Sequence, residues 1–107
     1  MKLPTADQIR DTIKENVFDP EIGLNVVDMG LIYDVGVEDV NDTPQAHITM
    51  TLTSPGCPVG PHIIGGIQTH VRDAFPQLGA INVHVVWDPL WSPEMMTQEG
   101  KDLLGFF

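Results

Sequence analysis

Between residues 31 and 87 the apolar side chains change their spacing twice, from every second position to every fourth and back again. Few folds accept that order. Leu31, Tyr33, Val35 and Val37 alternate with Asp34, Gly36 and Glu38, the period of a half-buried strand. The turn cluster Asn41-Asp42-Thr43-Pro44 follows, and then Ala46, Ile48, Met50 and Leu52 alternate with His47, Thr49, Thr51 and Thr53. Two such runs predict a hairpin, with Thr51 and Thr53 on the face opposite the aliphatic one. Ile63, Ile67, Val71 and Ala74 then form a helical stripe ending near Pro76, and Ile81, Val83, Val85 and Trp87 return to the strand period. A strand, helix, strand sequence requires the last strand to run parallel to an earlier one through a right-handed crossover.

The flanks complete the pattern. Thr5 with Gln8 has the form of a capping box, and Ile9, Ile13 and Val17 recur on one face, so a first helix is predicted over residues 5 to 16. Residues 18 to 30 contain Pro20, Gly23 and Gly30 without a sustained period and read as a long ordered loop, a place where function often sits. Ser92-Pro93-Glu94 marks the start of a last helix with Met95, Met96, Leu103 and Leu104 as its apolar residues. The expected architecture is a single-domain α/β (α+β) two-layer sandwich over residues 1–107, in the order αββαβα, with helices packed on a small three-stranded mixed sheet. Gly65-Gly66 within the second helix costs about 1 kcal/mol per glycine and is read as tight helix-on-sheet or subunit packing.

At 107 residues there is room for one core and no separate substrate domain, so any site is built on loops. Acidic residues outnumber basic ones 15 to 5, a net charge of −10, which argues against DNA or RNA as a partner because phosphate recognition needs clustered Lys and Arg. Neither a membrane-spanning run nor a signal-like amino terminus is seen, and a single cysteine allows no internal disulfide; the expected compartment is the cytoplasm.

That cysteine, Cys57, lies in Thr53-Ser54-Pro55-Gly56-Cys57-Pro58, at the predicted strand-to-helix turn. Such a turn aims N–H groups and the positive end of a helix dipole at one spot and favours a thiolate over a thiol. The plain alternative is a small buried thiol used for packing. Pro58 suits a helix beginning at Cys57, but Pro61 would then sit where an N–H is donated; a start at Gly60 with Pro61 in the first turn removes the conflict and places His62 near the thiol. Asp19 and Glu21 read either as an acid/base or hard-metal pair or as solvated turn residues, and Asp28 as a cap of the loop through local N–H groups. His47, His62, His70 and His84 show no zinc spacing. Trp87 and Trp91 read as core and lid residues.

Several blocks together resemble a known family: Asp19-Pro20-Glu21, Val27-Asp28-Met29-Gly30-Leu31-Ile32-Tyr33, Met50 through Pro58, Asp88-Pro89-Leu90-Trp91-Ser92-Pro93-Glu94 and Leu104-Gly105. They are similar to the SufT-like family of small iron-sulfur cluster assembly proteins, related to the oxygenase-system subunit PaaD. The resemblance covers nearly the whole chain and implies a role in maturing iron-sulfur proteins. It carries the family's reactive cysteine onto Cys57, its threonine four residues earlier onto Thr53, and its acidic loop positions onto Asp19 and Glu21. The stretch Val59-Gly60-Pro61-His62 departs from the more ordinary aliphatic helix start of relatives. The implied chemistry is consistent, since a thiolate is the ligand that soft iron-sulfur clusters prefer and a neighbouring hydroxyl is able to hydrogen-bond it.

One thiol does not hold a cluster alone, so the resemblance implies no stably bound cofactor. It implies a transient iron-sulfur cluster bridging a homodimer or completed by a partner, or an adaptor between assembly machinery and client apoproteins. The rival readings are an enzyme using Cys57 as nucleophile with His62 as base and Asp19 or Glu21 as third member, a PaaD-like subunit serving one oxygenase complex, and a plain interaction module.

Overall fold

The structure is a computed structural model that describes residues 3–20, 22–53 and 59–104. Helix α1 (Ala6–Asn16) begins with the capping box: Thr5 Oγ1 accepts from the Gln8 N–H at 3.1 Å, and Gln8 Oε1 accepts from the Thr5 N–H at 2.8 Å. Its apolar stripe places Ile9 and Ile13 in the core with no exposure. Strands β1 (Ile32–Val40) and β2 (Thr43–Met50) pair antiparallel, helix α2 (Gly60–Ala74) crosses over, and β3 (Ala80–Val85) pairs parallel to β2, giving the sheet order β1-β2-β3. Both helices cover one sheet face: α1 packs on β1 and α2, and α2 packs on β3. A 3-10 turn (Pro93–Met95) and a short helix α3 (Gln98–Leu104) follow.

The hairpin is tighter than the four-residue turn cluster suggests. Only Asn41 and Asp42 separate the strands, both with positive φ (52° and 64°), the two-residue turn whose twist matches antiparallel strands. Asn and Asp tolerate that region because their short polar side chains bond locally.

Two expectations about facing are corrected. In β1 a bulge leaves Tyr33 without a ladder partner: Ile32 opposes Met50, but Asp34 opposes Thr49. The extra residue resets the alternation, so the core-facing set is Ile32, Val35 and Val37, opposite Met50, Ile48 and Ala46. Leu31 is buried before the strand starts, and Tyr33 turns to the carboxy-terminal segment, donating its hydroxyl to the Pro89 carbonyl at 2.8 Å. Thr51 is likewise not on an open face. The strand ends at Met50, the Thr51 N–H bonds the Leu31 carbonyl at 2.9 Å, and the side chain is fully buried.

The single last helix is also corrected. Met96 is extended (ψ 148°) and breaks it into the 3-10 turn and α3. The cause is a tertiary contact: Thr97 donates its N–H to the Asp28 carbonyl and its hydroxyl to Asp28 Oδ1, both at 2.9 Å, and its Oγ1 accepts the Gly100 N–H as the cap of α3. Of the predicted apolar residues Met96 is buried, whereas Leu103 is 73% exposed. Among the described residues the helix-on-sheet reading of the glycine pair finds no support, since a Cβ on Gly65 would meet nothing within 4 Å and one on Gly66 only Val17 at ordinary distance.

Candidate functional site

The turn from β2 to α2 is fixed at both ends. On the strand side, the Val86 N–H donates to the Met50 carbonyl at 2.8 Å, Thr51 is bonded to Leu31, and Leu52 is 8% exposed. On the helix side, Gly60 is buried, and a Cβ there would come within 2.8 Å of Leu52 Cδ1. A larger residue at 60 would require the end of the Leu52 side chain to move aside. The start at Gly60 with Pro61 in the first turn is the one that the proline argument favours.

Among the described residues, no side-chain cap and no first-turn acid offsets the dipole at the amino end of α2. Val59, the N-cap residue, makes no side-chain cap bond, and the first turn holds no acidic residue. The N–H groups of Gly60 and His62 have no intrahelical acceptor, and Pro61 has no N–H to give. Such an end favours a negative charge placed before it. Thr53, the last described residue before the turn, is half-buried, and His62 is exposed in the first turn of α2. Cys57 lies outside the described residues, as does Glu21.

The acidic loop is a small closed unit. Phe18 and Asn25 form an antiparallel bridge, the Val26 N–H bonds the Val17 carbonyl at 3.1 Å, and the Asp19 N–H bonds the Leu24 carbonyl at 2.9 Å. Asp19 is 3% exposed, and its Oδ1 accepts the Ile22 N–H at 3.2 Å, so the carboxylate shapes the turn it belongs to. The base of this loop reaches α2: Val17 lies beside Gly66.

Asp28 belongs to a different assembly. Its Oδ2 accepts from Asn25 Nδ2 at 2.7 Å while its own N–H bonds Asn25 Oδ1 at 2.8 Å, and its Oδ1 accepts from Thr97. Lys14 Nζ stands 3.7 Å from the same oxygen. The helical turn that follows closes as a Schellman motif, with the Leu31 N–H on the Val26 carbonyl, the Gly30 N–H on the Val27 carbonyl, and Gly30 at φ 79°. A Cβ on Gly30 would also strike the Met95 carbonyl group. Trp91 adds a bond from Nε1 to the Met29 carbonyl at 2.6 Å. Asp28 thus ties the loop to the carboxy-terminal segment, and the structure brings it together with Asn25 and Thr97, neither of which stood out in the sequence. Asn25-x-x-Asp28, a pair of turn-forming side chains three apart, was the available signal.

Among the described residues no group of three or more His, Cys, Asp or Glu is arranged to hold a metal ion. His47 pairs with Glu38 at 2.7 Å and stacks on His84 across the outer sheet face. Among the described residues no helix is long and apolar enough to cross a membrane.

The family model for iron-sulfur cluster assembly proteins matches residues 6–85, from the first turn of α1 to the end of β3. This chain belongs to that family. The matched span contains the β2–α2 turn and the acidic loop. The iron-sulfur assembly chain is 42% identical over 91 residues to the Fe-S protein maturation auxiliary factor YitW of Bacillus subtilis, covering 85% of each protein. It is 40% identical over 89 residues to the Fe-S protein maturation auxiliary factor SufT of Staphylococcus aureus, covering 83% of this chain and 97% of that one. A Bacillus anthracis domain of unknown function, known from a crystal structure, superposes with a TM-score of 0.86 at 36% identity, over 95% of this chain and 92% of that one. The resemblance to SufT-like proteins and the mixed three-stranded architecture both stand on these matches.

Proposed function

We propose that this chain is a maturation auxiliary factor for iron-sulfur proteins in the cytoplasm, serving as an adaptor or transient carrier between the assembly machinery and client apoproteins, with Cys57 as its working group. The curated relatives named as Fe-S protein maturation auxiliary factors support the role. The observation that carries the assignment of the site is the clamped turn: Leu52 and Gly60 hold strand end and helix end in contact, and the α2 end they define has no side-chain cap and no acid in its first turn. A negative charge brought to that end is stabilised by the dipole, and the proposal gives that charge to the Cys57 thiolate.

The cluster is cargo in this reading, not a resident group. A thiolate at 57 supplies one ligand by exchange, one iron–thiolate bond forming as another breaks, so no oxidant or reductant is consumed; the remaining ligands come from the donor or the client. The proposal gives Thr53, four residues before Cys57, the part of hydrogen-bonding the sulfur, and Asp19 and Glu21 that of the acidic positions beside the site.

Deletion of the gene tests the role. Aconitase activity per aconitase polypeptide should fall in the deletion strain and return when the full chain is supplied in trans. Unchanged specific activity, under iron limitation as well as in rich medium, would remove the maturation role.

A further inference from the structure

A second feature lies away from the β2–α2 turn. An open groove of about 710 Å³ is lined by Arg10 of α1, Val27 of the loop, Ile32 and Tyr33 of β1, and Pro89 and Met95 of the carboxy-terminal segment. Its size falls in the range of ligand sites, roughly 300–1,000 Å³. The groove is prebuilt, because the bonds of Trp91 to Met29, Tyr33 to Pro89 and Thr97 to Asp28 lock its two walls together before anything binds. Its polar groups are mostly spent: the Tyr33 hydroxyl serves the Pro89 carbonyl, and the Thr97 hydroxyl serves Asp28 and Gly100.

Arg10 is the exception. It is half-buried and makes no ion pair or hydrogen bond among the described residues, in a chain with 15 acidic and 5 basic side chains. Lys14, one turn further along α1, is by contrast paired with Asp28 and Glu99. A guanidinium presents a planar fork of donors suited to a carboxylate, and stacking its stem on apolar surface leaves the fork facing outward.

We propose that this groove docks a peptide segment of a partner protein that carries a single carboxylate side chain flanked by apolar ones, the carboxylate on Arg10 and the apolar side chains on Val27, Ile32 and Met95. Charge complementarity selects the lone acid, and the net charge of −10 selects against segments with runs of acids. The proposal draws on the maturation reading only for which proteins would carry the segment; peptide binding is measured without any cluster, so the two fail separately.

The test is a displayed peptide library panned on the full chain. Enriched peptides should share an Asp or Glu next to Leu, Ile, Val or Phe. In a selected synthetic peptide, replacing that acid by its amide should weaken binding to the wild type by about tenfold, the loss of one charge-assisted contact. Arg10→Gln should lower affinity for the acidic peptide equally and be indifferent to the amide, and Arg10→Glu should select Lys or Arg at that position instead. The amide substitution uses the wild-type chain, so the result does not depend on either variant folding. Absence of enrichment, equal binding of acid and amide peptides, or sedimentation showing that this face instead joins two copies of the chain would overturn the proposal.

Discussion

Replacing Asp28 by alanine should release the carboxy-terminal segment and destabilise the whole domain. The carboxylate is 4% exposed and accepts two hydrogen bonds, from Asn25 Nδ2 at 2.7 Å and Thr97 Oγ1 at 2.9 Å. Bonds to a buried charged acceptor contribute roughly 1.5–3 kcal/mol each, and the donors left behind are desolvated without a partner. The Lys14 contact, at 3.7 Å with a 41% exposed ammonium, adds little. Allowing for local relaxation, the expected loss is about 3 kcal/mol, or roughly 12–24 °C in melting temperature for a domain of this size. Asp28→Asn should lose about half as much, because whichever way the amide turns, one of the two donors meets an N–H group. Urea denaturation in a Trp87→Phe background, followed through Trp91, reads both effects: Asp28→Ala should shift the midpoint down and the native emission to the red, as the Trp91 bond to the Met29 carbonyl is lost. A stability within 1 kcal/mol of wild type with unchanged Trp91 emission would refute the reasoning.

Three further outcomes are expected. Gly30→Ala should cost about 2 kcal/mol or more in denaturant titration, since it combines a positive φ with a collision against the Met95 backbone. Gly65→Ala should instead stabilise by up to about 1 kcal/mol, because its Cβ, on a helix, meets nothing among the described residues; a loss of stability there would contradict that reading. Iodoacetamide alkylation of Cys57 should reach half its maximal rate at a pH below the ordinary thiol value of about 8.5, and a thiol unreactive at neutral pH would favour the packing role.

What was legible in the sequence was what local chemistry decides. Thr5 and Gln8 are three residues apart and satisfy each other, so the start of α1 was readable. Pro61 forbade an earlier α2, and the helix begins at Gly60. The strand periods gave the hairpin and the parallel crossover. Three features depended on distant partners and left no local trace. The bulge at Tyr33 exists in the pairing of β1 with β2, and no residue type announces it. Thr51 is buried because Leu31 takes its N–H where the ladder ends. The last helix breaks because Thr97 answers Asp28, 69 positions away. Of the site residues, Asp19 is a carboxylate that shapes its own turn. Asp28 was expected to cap local N–H groups, but it is Asn25 whose side chain caps the Asp28 N–H, while the Asp28 carboxylate takes the side chains of Asn25 and Thr97 and acts as a strut to the carboxy-terminal segment. Arg10 went unnoticed, since an arginine on an exposed-looking helix face becomes distinctive only when the groove around it is known.

The most direct test replaces one atom. Cys57→Ser, expressed to the level of wild type in the deletion strain and shown by thermal melting to be equally folded, should fail to restore aconitase specific activity. Full restoration by the serine variant would contradict the account, because the sulfur would then have no part in the work of the protein.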